Sequence, residues 1–151
     1  MIDGLETGDL LTGGAGANTL HGTVNADVLL GSTGNDTLTG GAGADTFAYL
    51  SLADSGITAA SRDIITDFVN GTDRIDLSGI DANSTAIGNN AFTFIGTGLF
   101  SGGGAASAGQ LRYGSVGTNT LIEGDVNGDG VADFQIQLTG NHTITAVDLV
   151  V

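Results

Sequence analysis

The sequence predicts an all-β fold, a parallel β-roll (β-helix) of nine-residue repeats continued by a β-rich C-terminal cap with antiparallel strands. Three observations carry that prediction. Five consecutive nonapeptides run in strict register from Gly4 to Ala48: GLETGDLLT, GGAGANTLH, GTVNADVLL, GSTGNDTLT and GGAGADTFA. From Tyr49 onward, short alternating segments between polar turns replace them, and no long stretch holds a 3.6-residue period. Of 151 residues, 27 are glycine and none is proline or cysteine, a composition suited to frequent turns and offering no disulfide. The change of texture divides the chain into repeats over residues 1–48 and a second β domain over residues 49–151.

Within each repeat the first six residues are turn formers. Glycine or asparagine at the second or fourth position (Gly14, Gly16, Asn25, Gly34, Gly41, Gly43) is expected to supply positive φ. Positions seven to nine read as a short strand whose eighth residue, Leu11, Leu20, Leu29, Leu38 or Phe47, points inward while its neighbours point outward. Two turns and two strands close one coil of eighteen residues, and successive coils stack about 4.8 Å apart. The sixth positions therefore form two columns, Asp9, Asp27 and Asp45 on one side, Asn18 and Asp36 on the other. Nine-residue steps continue to Asp54 and Asp63, with Ile65 at the inward position. We expect Asp54 to extend the Asn18/Asp36 column and Asp63 to extend the other.

Charge narrows the chemistry. The formal net charge is −14, there is no lysine, and fifteen of the seventeen acids are aspartate. Nucleic-acid phosphates and anionic membrane surfaces would repel such a chain. Like charges stacked at coil spacing repel each other unless a cation lies between them, and short carboxylates suit a hard cation. Zinc finds no thiolate or histidine cluster.

In the second half, Arg62–Phe68, Asp73–Ser78, Ala91–Gly96, Asn119–Gly124, Asp133–Leu138 and His142–Val151 read as strands, and Ser101–Gly109 as an exposed glycine-rich loop. The stretch from Asp125 to Asp133 is a second metal candidate: Asp125, Asn127, Asp129 and Gly130 match the opening of an EF-hand loop, with Asp133 closing it. Ile136 stands where the bidentate glutamate belongs. An ion-free Asn-Gly or Asp-Gly hairpin turn between the flanking strands is the alternative reading.

These repeats resemble the RTX calcium-binding β-roll. The package GGAGADTF, DIITDF, DRIDLS and GDVNGDGVADFQIQLTGNH looks like the serralysin-type (peptidase M10) C-terminal domain of type I secreted bacterial proteins. The resemblance implies four or five calcium ions held by the sixth-position side chains and by first- and third-position carbonyls. Those are the carbonyls of Gly4, Glu6, Gly13, Ala15, Gly22, Val24, Gly31, Thr33, Gly40 and Ala42. Asn18 carries no charge, and GLETGD lacks the paired glycines. The terminal Asp148-Leu149-Val150-Val151 is similar to the uncleaved signal of type I ABC secretion substrates, which implies an extracellular protein.

Catalysis has little support, since HExxH, a cysteine nucleophile, G-x-S-x-G and a Walker lysine are all missing. His21 and His142 read as surface residues, and Arg62, Arg74 and Arg112 as neutralisers of local carboxylates. The expected function is a non-catalytic module that folds on calcium outside the cell and carries the secretion signal. The alternatives are the tail of a serralysin-like metalloprotease, fused to its catalytic domain, or a polysaccharide-binding module like those of alginate epimerases.

Overall fold

In the computed structural model, residues 1–5 and 8–151 are described. The strands are β1 (Ile2–Asp3), β2 (Leu10–Thr12), β3 (Thr19–His21), β4 (Val28–Leu30), β5 (Thr37–Thr39), β6 (Thr46–Ala48), β7 (Asp63–Ile65) and β8 (Arg74–Asp76). They are followed by β9 (Thr93–Phe94), β10 (Gln110–Val116), β11 (Asn119–Asp125), β12 (Phe134–Leu138) and β13 (Leu149–Val150). Strands β2 to β6 occupy positions seven to nine of the repeats.

Odd and even repeats feed two different sheets, in the orders β13-β8-β6-β4-β2 and β1-β3-β5-β7-β12-β11-β10-β9. The first is parallel throughout. The second is parallel up to β12 and then turns antiparallel through β12, β11 and β10. Register puts each inward side chain on its equivalent one coil away. Leu11, Leu29, Phe47, Ile75 and Leu149 form one column, and Ile2, Leu20, Leu38, Ile65 and Leu138 the other. All but Ile2 are buried, and the two columns face each other to make the core.

The nine-residue phase breaks after Phe47. Residues 49–57 would be a sixth repeat, but its eighth position is Gly56, which has no side chain to fill the core. This segment leaves the stack as a 3-10 turn, Leu52–Asp54, capped by Ser51. The chain re-enters at β7, which pairs with β5. Asp63 thus lies 27 residues beyond Asp36 and joins the Asn18/Asp36 column, contrary to the sequence expectation, while Asp54 joins no strand. One further inserted residue brings β8 alongside β6.

Three other expectations are revised. Gly16, Gly34, Gly41 and Gly43 take positive φ, but Gly14 and Asn25 do not, and Ser32 adopts φ +67° at a second position. In Ala91–Gly96 only Thr93 and Phe94 pair as strand, because Gly96 (φ +64°) turns the chain away. Within His142–Val151 the strand is limited to β13, since Thr145 and Asp148 form a capping box around a 3-10 turn.

The core columns make a direct prediction. Leu29→Ala should cost about 3 kcal/mol of unfolding free energy in a urea titration, whereas Leu10→Ala, on the exposed face near the roll's end, should cost about 0.5 kcal/mol or less.

Candidate metal sites on two aspartate ladders

The sixth-position carboxylates are structural before they are anything else. The backbone amide of Asp9 donates to Asp27 Oδ1 at 2.7 Å, that of Asp27 to Asp45 Oδ1 at 2.9 Å, and that of Asp45 to Asp73 Oδ1 at 3.0 Å. On the opposite side, the Asn18 amide donates to Asp36 Oδ1 and the Asp36 amide to Asp63 Oδ1, both at 2.7 Å. The next rung is neutral: the Asp63 amide donates to the Ser55 hydroxyl, which donates onward to the Gln135 carbonyl. Each coil is pinned to the next through a turn amide that no strand could satisfy.

The second carboxylate oxygens divide into two groups. Oδ2 of Asp9, Asp27 and Asp73 accepts from the amide four residues earlier, on Leu5, Thr23 and Val69 respectively. Oδ2 of Asp36, Asp45 and Asp63 is buried with no hydrogen-bond partner. The second-position residues beside Asp36 and Asp45 are Ser32 and Gly41, both at positive φ, and the Gly41 amide goes instead to Asp67 Oδ2. The first-position glycines make room for these oxygens. A Cβ at Gly31 would lie 2.4 Å from Asp36 Oδ2, and one at Gly40 would lie 2.5 Å from Asp45 Oδ2.

Backbone carbonyls approach the same region. A Cβ at Gly13 would meet the Gly31 carbonyl oxygen at 2.4 Å, and one at Gly22 would meet that of Gly40 at 2.2 Å. The Thr33 carbonyl already accepts the Gly16 amide at 2.8 Å. Ala15, Val24 and Ala42 are exposed turn residues, Gly4 opens the first turn, and Glu6 lies outside the described residues. Among the described residues no three His, Asp or Glu side chains converge on one point. A cation here would draw on one or two carboxylates and several carbonyls, a donor set that fits a hard ion of flexible geometry such as Ca²⁺.

Electrostatics point the same way. Burial raises the carboxyls of Asp36, Asp45 and Asp73, with neighbouring aspartates adding to the effect and backbone hydrogen bonds opposing it. Asp63 is pushed up to about 8, first by burial and then by the charges of Asp36 and Asp54. The buried Tyr49 hydroxyl lies beside Asp63 without hydrogen-bond geometry, and burial beside that carboxylate raises it as well. Asp54 is buried, caps its own 3-10 turn through the Leu50 and Ser51 amides, and adds its charge to the Asp36/Asp63 group.

Two acids escaped the sequence reading. Asp73 ends the first ladder, and Asp67 accepts the Gly40 and Gly41 amides at 2.9 and 2.8 Å. A signal for the former existed: Asp73-Arg74-Ile75 keeps the Asp-x-apolar spacing of the repeats.

The hairpin loop behaves differently. Strands β11 and β12 pair antiparallel around it. Asp125 accepts the Gly128 and Gly130 amides, Asp133 accepts the Val126 amide and the Asn127 side chain, and Asp129 accepts the Val131 amide. Its carboxylates are engaged as turn locks. Of the arginines, Arg112 pairs with Glu123 at 2.6 Å, while Arg62 donates to the Gln135 and Gln137 side chains instead of a carboxylate. His21 sits 3.2 Å from Asp3, and His142 lies between Asn70 and the Thr139 carbonyl.

The family model described as Peptidase M10 serralysin C terminal matches residues 11–151. Metallopeptidase AprA of Pseudomonas marginalis is 38% identical over 102 residues, covering 67% of this chain and 19% of that protein. The chain thus spans about a fifth of that relative's length. The solution structure of the AlgE6R2 subunit of the Azotobacter vinelandii mannuronan C5-epimerase superposes with a TM-score of 0.60 at 32% identity, covering 98% of this chain and 90% of the subunit. The AlgE6R3 subunit of the same enzyme gives 0.51 at 25% identity, with 95% and 78% covered.

The raised carboxyls set a pH dependence for the metal-free protein. A carboxyl whose folded pKa exceeds its unfolded value stabilises the fold when protonated, and that stabilisation is lost as pH rises through the folded pKa. In chelator the β-signal in circular dichroism should therefore grow as pH falls from 8 to 5. Asp63→Asn, neutral at every pH, should strengthen that signal at pH 8 and flatten the profile. A β-signal that weakens on acidification would contradict this.

Proposed function

The chain belongs to the peptidase M10 serralysin C-terminal family, and from that premise we propose that it is a calcium-binding module whose ladders fold when the ion arrives. The supporting observation is the set of buried, unpartnered oxygens on Asp36, Asp45 and Asp63, the first two lodged against Gly31 and Gly40 where any Cβ would collide with them. Calcium supplies the positive charge that these columns lack. Its proposed side-chain ligands are Asp9, Asp27, Asp45 and Asp73 on one side and Asn18, Asp36 and Asp63 on the other, with the first- and third-position carbonyls completing the sites. Asp54 acts through its charge, and the acids of the Asp125–Asp133 loop hold the hairpin.

Without the ion, the repeats must bury a column of mutually repelling carboxylates in a chain of charge −14, while ordering many glycines. At ten times its dissociation constant each calcium contributes roughly RT ln 11, about 1.4 kcal/mol, so several sites together approach the stability of a typical domain. Low calcium inside a cell and millimolar calcium outside would make folding follow export.

The C-terminal Asp-Leu-Val-Val fits this order of events. In the folded chain Asp148 is buried and accepts the Gly71 and Thr145 amides, and Leu149–Val150 pairs with β8. A secretion apparatus reading those residues would meet them as a free segment only before folding. The matched family is the non-catalytic C-terminal module of metalloproteases, and we assign this module no proteolysis or polysaccharide chemistry of its own.

Circular dichroism in EGTA and in millimolar calcium tests the reading. The β-signal should be weak in chelator at pH 7.5 and develop with calcium, and an unchanged signal would refute calcium-gated folding. By calorimetry, Asp27→Ala and Asp36→Ala should each lose part of the calcium stoichiometry, with nuclear magnetic resonance locating the losses on opposite sides of the roll.

A further inference from the structure

The outer face of the antiparallel sheet carries a feature that the ladders do not use. Arg112, Glu123 and Gln135 stand opposite one another on β10, β11 and β12. Their side chains form a continuous row: Arg112 Nη2 pairs with Glu123, Gln135 donates to Glu123 at 2.8 Å, and Arg62 donates to Gln135 at 2.9 Å. Two of the chain's three cationic residues thus stand in a row that holds one carboxylate, Arg112 paired with it directly and Arg62 linked to it only through Gln135, in a protein whose overall charge is −14.

Above Arg112, Glu123 and Gln135 lies a cavity of about 330 Å³, walled by Ile57, Phe100 and Val131. Ile57 and Val131 are exposed, and Phe100 packs against the Arg112 guanidinium with 4.9 Å between the guanidinium carbon and the ring centroid. The carboxylate of Glu123 is occupied on both oxygens. Arg112 is not: its ion pair with Glu123 runs through Nη2, its Nε is buried without a partner, and a guanidinium that lines the cavity has five N–H donors in all. A polar floor with spare cationic donors under apolar walls is the make-up of a small-ligand site.

We propose that this cavity binds a small apolar monocarboxylate, its carboxylate on Arg112 and its apolar body between Ile57, Phe100 and Val131. The apolar walls disfavour a sugar acid, whose hydroxyls would lose water without finding partners. The net positive row disfavours a neutral or cationic ligand. A short fatty acid and the carboxyl end of an apolar peptide share this chemistry.

The test is a nuclear magnetic resonance titration of the full chain in calcium with hexanoate, N-acetyl-leucine, 1-hexanol and glucuronate. Hexanoate or N-acetyl-leucine should give saturable shifts around Ile57, Arg112 and Val131, the tighter of the two naming the source, with hexanol and glucuronate about tenfold weaker or worse. Val131→Asp, which places a negative charge on the rim without touching the Arg112–Glu123 pair, should weaken binding by about tenfold, as should Arg112→Gln. If Arg112→Gln does not fold, Val131→Asp decides. Absence of saturation with both carboxylates overturns the proposal. So does hexanol binding as well as hexanoate, or binding unaffected by Val131→Asp.

Discussion

The structure depends on a hydrogen bond from a turn amide to a buried carboxylate one coil further along. Short turns leave an amide at the sixth position that cannot join either sheet, and a buried amide without a partner is costly. Asp27, Asp36, Asp45, Asp63 and Asp73 meet that need and hold the coils in register. The same contact stacks negative charges in two columns inside the protein. Fold geometry and the demand for protons or cations are therefore one constraint, and the raised carboxyls of Asp36, Asp45 and Asp63 are its electrostatic expression.

How the ladders end shapes the rest of the molecule. On one side the rung after Asp63 is the Ser55 hydroxyl, a neutral group that also reaches the Gln135 carbonyl. That link ties the ladder to β12, where the sheet becomes antiparallel and no longer supplies repeating turns. On the other side the ladder closes on Asp73, and its sheet is completed by β13 at the chain's end. The C-terminal residues are thus part of the closed fold, with Asp148 repeating in miniature the carboxylate-to-amide lock of the repeats.

Much of this was legible in the residues themselves. The Leu11/Leu29/Phe47 and Leu20/Leu38 columns, the Asp9/Asp27/Asp45 and Asn18/Asp36 alignments, and the hairpin around Asp125–Asp133 all follow from spacing. Column membership beyond Asp45 did not follow. Asp54 and Asp63 are both in phase, yet only Asp63 has an apolar residue, Ile65, two positions later, whereas Asp54 has Gly56. A repeat without its inward side chain leaves the stack, and every later rung then changes sides. The row from Arg62 to Arg112 was equally hidden, because its members meet across three strands and up to 73 residues of chain.

The sequence by itself determined what each repeat is: a turn closed by a carboxylate and a strand with one inward side chain. Those properties rest on bonds and alternations within nine residues. Only the tertiary structure decided which turn lies on which after residue 48, and which carboxylate oxygens are left without a donor. Both depend on contacts 18 to 28 residues apart, where looping out one half-coil or inserting one residue rearranges the stack without altering the local pattern.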